Sequence, residues 1–167
     1  MAFENVKGGL SFKILPTEMR KRLNGSMSYN GTDAMDKWVY TKFQVLYNGG
    51  NILVTTDDYL MAPTTSVATG DKYRFLIIKH TGFTDSNENV VSPYGVMIAI
   101  DGGTPVYDMA DLIVLAPGDT MALKLPNVTV GNLNARTCRL TSGAPSANAV
   151  SGETALIEIA AILDDIA

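Results

Sequence analysis

The sequence predicts an all-β protein: an antiparallel β-sandwich or jelly-roll-like fold of about eight strands, preceded by an extended N-terminal segment. Apolar runs of strand length recur at roughly ten-residue spacing, the rhythm of sandwiches and barrels. Clusters of Gly, Asn, Pro and Asp punctuate those runs, and neither a long helical pattern nor βα alternation interrupts them. A length of 167 residues matches one domain and can bury a core without covalent staples. Residues 1–35 read as an arm and loop, residues 36–167 as the sandwich.

Taken in order, residues 1–10 close on Lys7-Gly8-Gly9 and read as a flexible tail. Ser11 to Pro16 alternates as a short strand stopped by proline, suited to an edge or to an arm added to a neighbour. Thr17 to Leu23 has the pattern of one or two helical turns ended by Asn24-Gly25, and Asn24 to Lys37 that of a polar loop. Trp38 to Tyr47 is a long strand, with Val39, Phe43, Val45 and Tyr47 on one face and Trp38, Tyr40, Lys42 and Gln44 on the other. Asn48-Gly49-Gly50-Asn51 then reads as a hairpin turn into Ile52–Thr55, and residues 57–70 are irregular.

Residues 71–125 form the expected centre. In Tyr73–His80 apolar side chains fall on both faces, Tyr73, Phe75 and Ile77 on one and Leu76 and Ile78 on the other, so this strand is expected to be covered on both sides. A thirteen-residue polar connection, Thr81 to Pro93, leads to the strand Tyr94–Ile100; loops of that length are usually functional or mobile. After the Asp101–Pro105 turn, Val106 to Leu115 continues as a strand, and Ala116-Pro117-Gly118-Asp119 folds it into a hairpin with Met121, Leu123 and Leu125. Leu133 to Leu140 is a strand holding Cys138, and Thr141 to Gly152 is a small-residue loop. Ala155 to Leu163 fits an Ala-rich helix or a strand, and β-branched Ile157, Ile159 and Ile162 after the Gly152 turn favour the strand.

Charge is unevenly spread. The net value is −4, but residues 1–22 hold Lys7, Lys13, Arg20, Lys21 and Arg22 against Glu4 and Glu18, or +3, which leaves −7 on the remainder. An acidic body argues against non-specific nucleic-acid binding, whereas a basic lead can dock on an acidic protein surface. Lys7, Phe12, Lys13, Arg20, Lys21 and Arg22 are the partner-binding residues this suggests. The single cysteine excludes an internal disulfide and fits a reducing site of synthesis. No apolar core of a secretory signal and no membrane-length run is present, so a soluble chain not exported by that route is expected.

Catalytic constellations are thin. His80 is the only histidine, which removes His-carboxylate and multi-histidine metal arrangements and disfavours a cupin-like enzyme. It reads as a surface or subunit-contact residue, and Cys138 as a small buried one. The acid doublets Asp57-Asp58 and Asp164-Asp165 point to opposite faces of a strand, and Asp33 and Asp36 lack calcium-loop spacing. Asp101-Gly102-Gly103 lacks the Lys and helix of a phosphate loop. No cofactor or metal is expected. Three Asn-x-Ser/Thr sequons, at Asn24, Asn30 and Asn127, read as coincidences of Asn/Gly loops. Trp38, Tyr40, Tyr59, Tyr94 and Tyr107 suit either a sugar-stacking platform or core and subunit contacts.

One further pattern bears on function. Gly70-Asp71-Lys72-Tyr73 introduces an apolar strand, Val96 to Ile100 ends in Asp101-Gly102-Gly103, and Pro117-Gly118-Asp119 separates two apolar arms. In these features, over about half the chain, the sequence resembles small β-sandwich virion proteins of tailed bacteriophages. The resemblance implies a structural particle protein, a capsid decoration (cement) or tail-associated protein, made in the host cytoplasm and located on the virion. Its expected partners are the major capsid protein or other virion proteins and its own copies, most simply as a trimer, with Trp38, Tyr107 and Met121 as possible subunit-interface residues. The basic lead and the long 81–93 loop depart from that pattern. The competing reading is a carbohydrate-binding or fibre-associated module.

Overall fold

The computed structural model describes residues 5–13, 22–30, 37–49, 51–52, 60–62, 67–68, 70–125 and 127–164. They fall into two compact units, Met1–Asp36 and Lys37–Ala167.

The first unit is a ribbon of two antiparallel strands, β1 (Asn5–Lys13) and β2 (Arg22–Asn30), with Asn5 opposite Asn30 and Lys13 opposite Arg22. Two expectations are corrected here. The strand begins at Asn5, six residues before Ser11, and residues 22–30 form a strand where helical turns and a polar loop were expected. Leu23, Gly25, Met27 and Tyr29 alternate with Asn24, Ser26, Ser28 and Asn30, a period of two that the Asn and Gly content hides. Residues 14–21, including the expected helical turns at 17–21, lie outside the described residues.

The second unit is an antiparallel β-sandwich, as the sequence predicts. In chain order its strands are β3 (Lys37–Val45), β4 (Asn51–Ile52), β5 (Leu60–Ala62), β6 (Lys72–His80), β7 (Gly95–Ala99), β8 (Ile113–Leu115), β9 (Thr120–Leu123), β10 (Asn134–Thr141), β11 (Ala144–Asn148) and β12 (Ala155–Asp164). One five-stranded sheet has the order β5-β3-β12-β6-β9; the other runs β11-β10-β7-β8, with β4 also paired to β10. The last strand thus sits at the centre of its sheet, between β3 and β6.

Alternation along the strands builds the core between the sheets. Ala155, Ile157, Ile159, Ala161 and Leu163 of β12 meet Leu76 and Ile78 of β6, Val96 and Ile98 of β7, Leu115 of β8 and Ala135 of β10 in one buried cluster. Each of the Ile, Leu and Val side chains among them contributes about 2 kcal/mol by leaving water. Leu156 and Ile162, at intervening positions of β12, are also buried, as is Phe75 of β6, in line with a β6 strand covered on both faces. One detail of β6 differs from simple alternation. The register shifts between Ile162 and Leu163, which pair with Phe75 and Tyr73, so Arg74 is an extra residue and Tyr73 joins Leu76 and Ile78 in the core.

Two expected hairpins are corners instead. After β3 the chain turns at residues 47–49 and pairs β4 with β10 in the opposite sheet. Gly49 takes φ +74°, and a Cβ there would stand 2.3 Å from Thr104 Cγ2, so only glycine fits this crossing. Likewise Ala116–Asp119 passes the chain from β8, paired with β7, to β9, paired with β6. Asp119 Oδ2 accepts from the Ala116 N–H at 2.8 Å, and Gly118 at φ +89° completes the corner. The strand expected over 106–115 is confined to Ile113–Leu115. The small-residue loop expected at 141–152 contains β11, an edge strand whose Pro145 and alanines carry little strand signal. Ser142 and Gly143, both at positive φ, make its two-residue turn from β10.

Candidate interaction surfaces

Two long excursions flank β7, and both are built structures. The first, residues 81–94, is fastened at its base by His80. The imidazole is fully buried rather than on the surface, as the sequence suggested. Nε2 faces the Tyr94 carbonyl at 2.9 Å and Nδ1 accepts from the Gly82 N–H at 3.0 Å, so the neutral tautomer protonated on Nε2 satisfies both ends of the loop. Burial pushes its pKa below the ordinary histidine value, against smaller opposing contributions from the Tyr94 carbonyl and the charge of Asp119. Farther out, the Ser92 hydroxyl donates to the Thr154 carbonyl at 2.9 Å, and Phe83 and Val91 form a β-bridge. Gln44 Nε2 donates to the Thr84 carbonyl at 2.8 Å, and Lys42 pairs with Glu88. The excursion leaves Val90 and Val91 exposed at its outer end, 56% and 71%.

The second excursion, residues 100–112, lies over the outer face of the β7–β10 sheet. Arg136 on β10 reaches from the Tyr47 carbonyl (Nε, 2.7 Å) to the Pro105 carbonyl (Nη1, 3.4 Å). The Tyr107 N–H donates to Asn148 Oδ1 on β11 at 3.1 Å, and the Gly102 N–H to the Asn132 carbonyl at 2.9 Å. Beneath this overlay Met97, Ala99 and Cys138, at outward positions of β7 and β10, are buried. Burial pushes the Cys138 thiol up to about 11, which makes it a poor nucleophile at neutral pH.

A charged strip marks the opposite sheet. The Tyr40 hydroxyl donates to Glu158, a bond that raises the phenol and lowers the carboxyl, and Lys79 stands 3.4 Å from the same carboxylate. Arg74 of the same sheet pairs with Asp164. On β10, in the other sheet, Arg139 grips Glu153 through both Nε and Nη2, holding that carboxyl below its usual range. These groups neutralise one another in pairs. Among the described residues no group of three or more His, Cys, Asp or Glu is placed to hold a metal, and no helix is long and apolar enough to cross a membrane.

The structure separates several residues that the sequence grouped. Tyr40 lies on the outer side of one sheet and Tyr107 over the outer side of the other, so these two rings share no platform. Tyr107 is 43% exposed. Met121 packs half-buried against the core cluster of its own chain. Trp38 takes its place in β3 opposite Ile162 and Ala62. Lys7, Phe12 and Lys13 lie on β1 and Arg22 on β2, whereas Arg20, Lys21, Asp33, Asp36, Asp57, Asp58, Tyr59 and Asp165 lie outside the described residues. What the sequence reading missed is the overlay with Asp101, Asp108 and Asp111; its signal is a run from His80 to Leu123 without one Lys or Arg.

No family model matches the chain, and no curated protein or solved structure is significantly similar to it.

Proposed function

We propose that this chain is a structural virion protein that adds itself to the capsid of a tailed bacteriophage as a decoration (cement) protein and meets its own copies there as a trimer. On this reading it performs no turnover. The observation that carries it is the division of the chain into a sandwich with its own core and a separate two-stranded ribbon. A ribbon of two strands is marginal by itself in water and gains stability by adding to a further surface. The basic residues Lys7, Lys13 and Arg22 on its strands favour an acidic protein partner, and the resemblance of the 70–123 pattern to phage sandwich proteins names the kind of particle.

Co-sedimentation with capsids that lack the protein tests this directly. The full-length chain is expected to pellet with the shells, and a full-length K7E/K13E/R22E variant to stay in the supernatant. Failure of the unaltered chain to bind shells or isolated capsid protein would overturn the assignment.

A further inference from the structure

The imidazole of His80 holds both ends of the 81–94 excursion, and its two bonds run in opposite directions. The Gly82 amide can only donate and the Tyr94 carbonyl can only accept, so Nδ1 must offer a lone pair and Nε2 a proton. A second proton, on Nδ1, leaves the bond to Tyr94 intact and sets two N–H groups against each other across the 3.0 Å now spanned by the Gly82 bond. The ring is fully buried, so the lost bond is not exchanged for one to solvent while the excursion stays closed.

The two ends answer differently. Tyr94 leads directly into β7, where Gly95 pairs with Cys138 of β10, so the sheet holds that end. Gly82 belongs to no strand: its carbonyl accepts from the Ser92 N–H at 2.8 Å, and next to it the Thr84 N–H donates to the Val90 carbonyl at 2.9 Å. The charged groups around His80 do not replace the lost acceptor. Asp119, at the corner that bonds the His80 backbone, favours the cation by its charge, but its Oδ2 already accepts from the Ala116 N–H. On β12 the partner of His80 is Ile157, and the adjoining Glu158 bonds Tyr40 and Lys79 of β6. Beside Tyr94, Glu153 is held by Arg139. Within the excursion Asp85 accepts from the Asn87 N–H and Glu88 pairs with Lys42.

We propose that residues 81–94 are a strap that neutral His80 keeps closed and that a proton on Nδ1 releases at the Gly82 end. In acid the strap swings from its Tyr94 end and carries the exposed Val90 and Val91 with it. The device lies wholly within the sandwich unit and goes beyond the virion reading, which it neither needs nor tests.

Amide exchange of the full-length chain, followed residue by residue by NMR from about pH 7.5 to about pH 4.5 and corrected for the intrinsic pH dependence of exchange, tests this. The open strap takes up its proton near the ordinary histidine value of about 6.5. The opening constant, and with it the exchange of the Gly82, Thr84 and Ser92 amides, should therefore rise about tenfold for each pH unit below that value, until the closed ring is itself protonated. The Gly102 and Tyr107 amides, pinned to Asn132 and Asn148 in the other excursion, should not follow. His80→Gln, which offers a donor and an acceptor that do not titrate, should abolish the rise. If that variant misfolds, the ring nitrogen shifts of the unaltered chain at neutral pH decide: Nδ1 should be bare and Nε2 protonated. Exchange of the three strap amides that stays level with pH, or that rises equally at Gly102 and Tyr107, would overturn the proposal. So would a ring protonated on Nδ1 at neutral pH, or a His80→Gln chain that keeps the rise.

Discussion

β12 and β1 are strands of similar length, ten residues and nine, and their surroundings are opposite. β12 lies between β3 and β6, and its residues are buried on both faces from Ala155 to Leu163, with only Glu158 and Ala160 half-buried. β1 pairs with β2 and with no other described strand. A strand flanked on both sides draws stability from every neighbour. A strand in a two-membered ribbon has little to draw on, and its alternation becomes an affinity for something else. Stability and adhesion are thereby assigned to different parts of the chain.

The largest losses of stability are expected at the centre of the sandwich. Ile159→Ala, facing Ile78 of β6 in the core, should cost about 3 kcal/mol in urea unfolding, because the neighbours cannot close the cavity. Arg136→Ala should cost about 2 kcal/mol, since the Tyr47 and Pro105 carbonyls lose a charged donor. It should also speed thiol labelling of Cys138 by more than the loss of global stability explains, as the overlay lifts.

A smaller effect follows pH. The unfolded His80 imidazole takes up a proton near its ordinary value of about 6.5, whereas the buried imidazole resists it. Stability from this group is therefore complete above that pH and declines as pH falls below it toward the lower folded value. Melting curves of His80→Gln should lack that decline. The smallest effect is the most diagnostic: Leu10→Asp should leave the unfolding midpoint of the sandwich unchanged while reducing association. A fall in the midpoint would show that the ribbon contributes to the fold itself.

Much of the sandwich was legible because its strands are apolar and bounded by turns. β3, β6, β7 and β12 follow from alternation or from continuous apolar runs, and Gly152 with β-branched Ile157, Ile159 and Ile162 settles β12 as a strand. What local pattern could not show is the partner across each turn. Asn48-Gly49-Gly50 and Pro117-Gly118 both carry hairpin chemistry, yet each is a corner between sheets, a choice made by the facing layer. β2 and β11 were hidden by Asn, Ser, Gly and Pro, residues of low strand preference that edge positions tolerate. For the same reason His80 looked superficial: its burial depends on Gly82 and Tyr94, brought together only when the excursion closes.

The division of labour between ribbon and sandwich is tested most directly by amide hydrogen exchange, measured on the dilute free chain and on the same chain assembled on shells. Amides of β6, β7, β10 and β12 are expected to exchange slowly in both states, whereas those of Asn5–Lys13 and Arg22–Asn30 exchange fast in the free chain and slow down on assembly. Ribbon amides equally protected in the free chain, or equally fast in the assembled one, would contradict it.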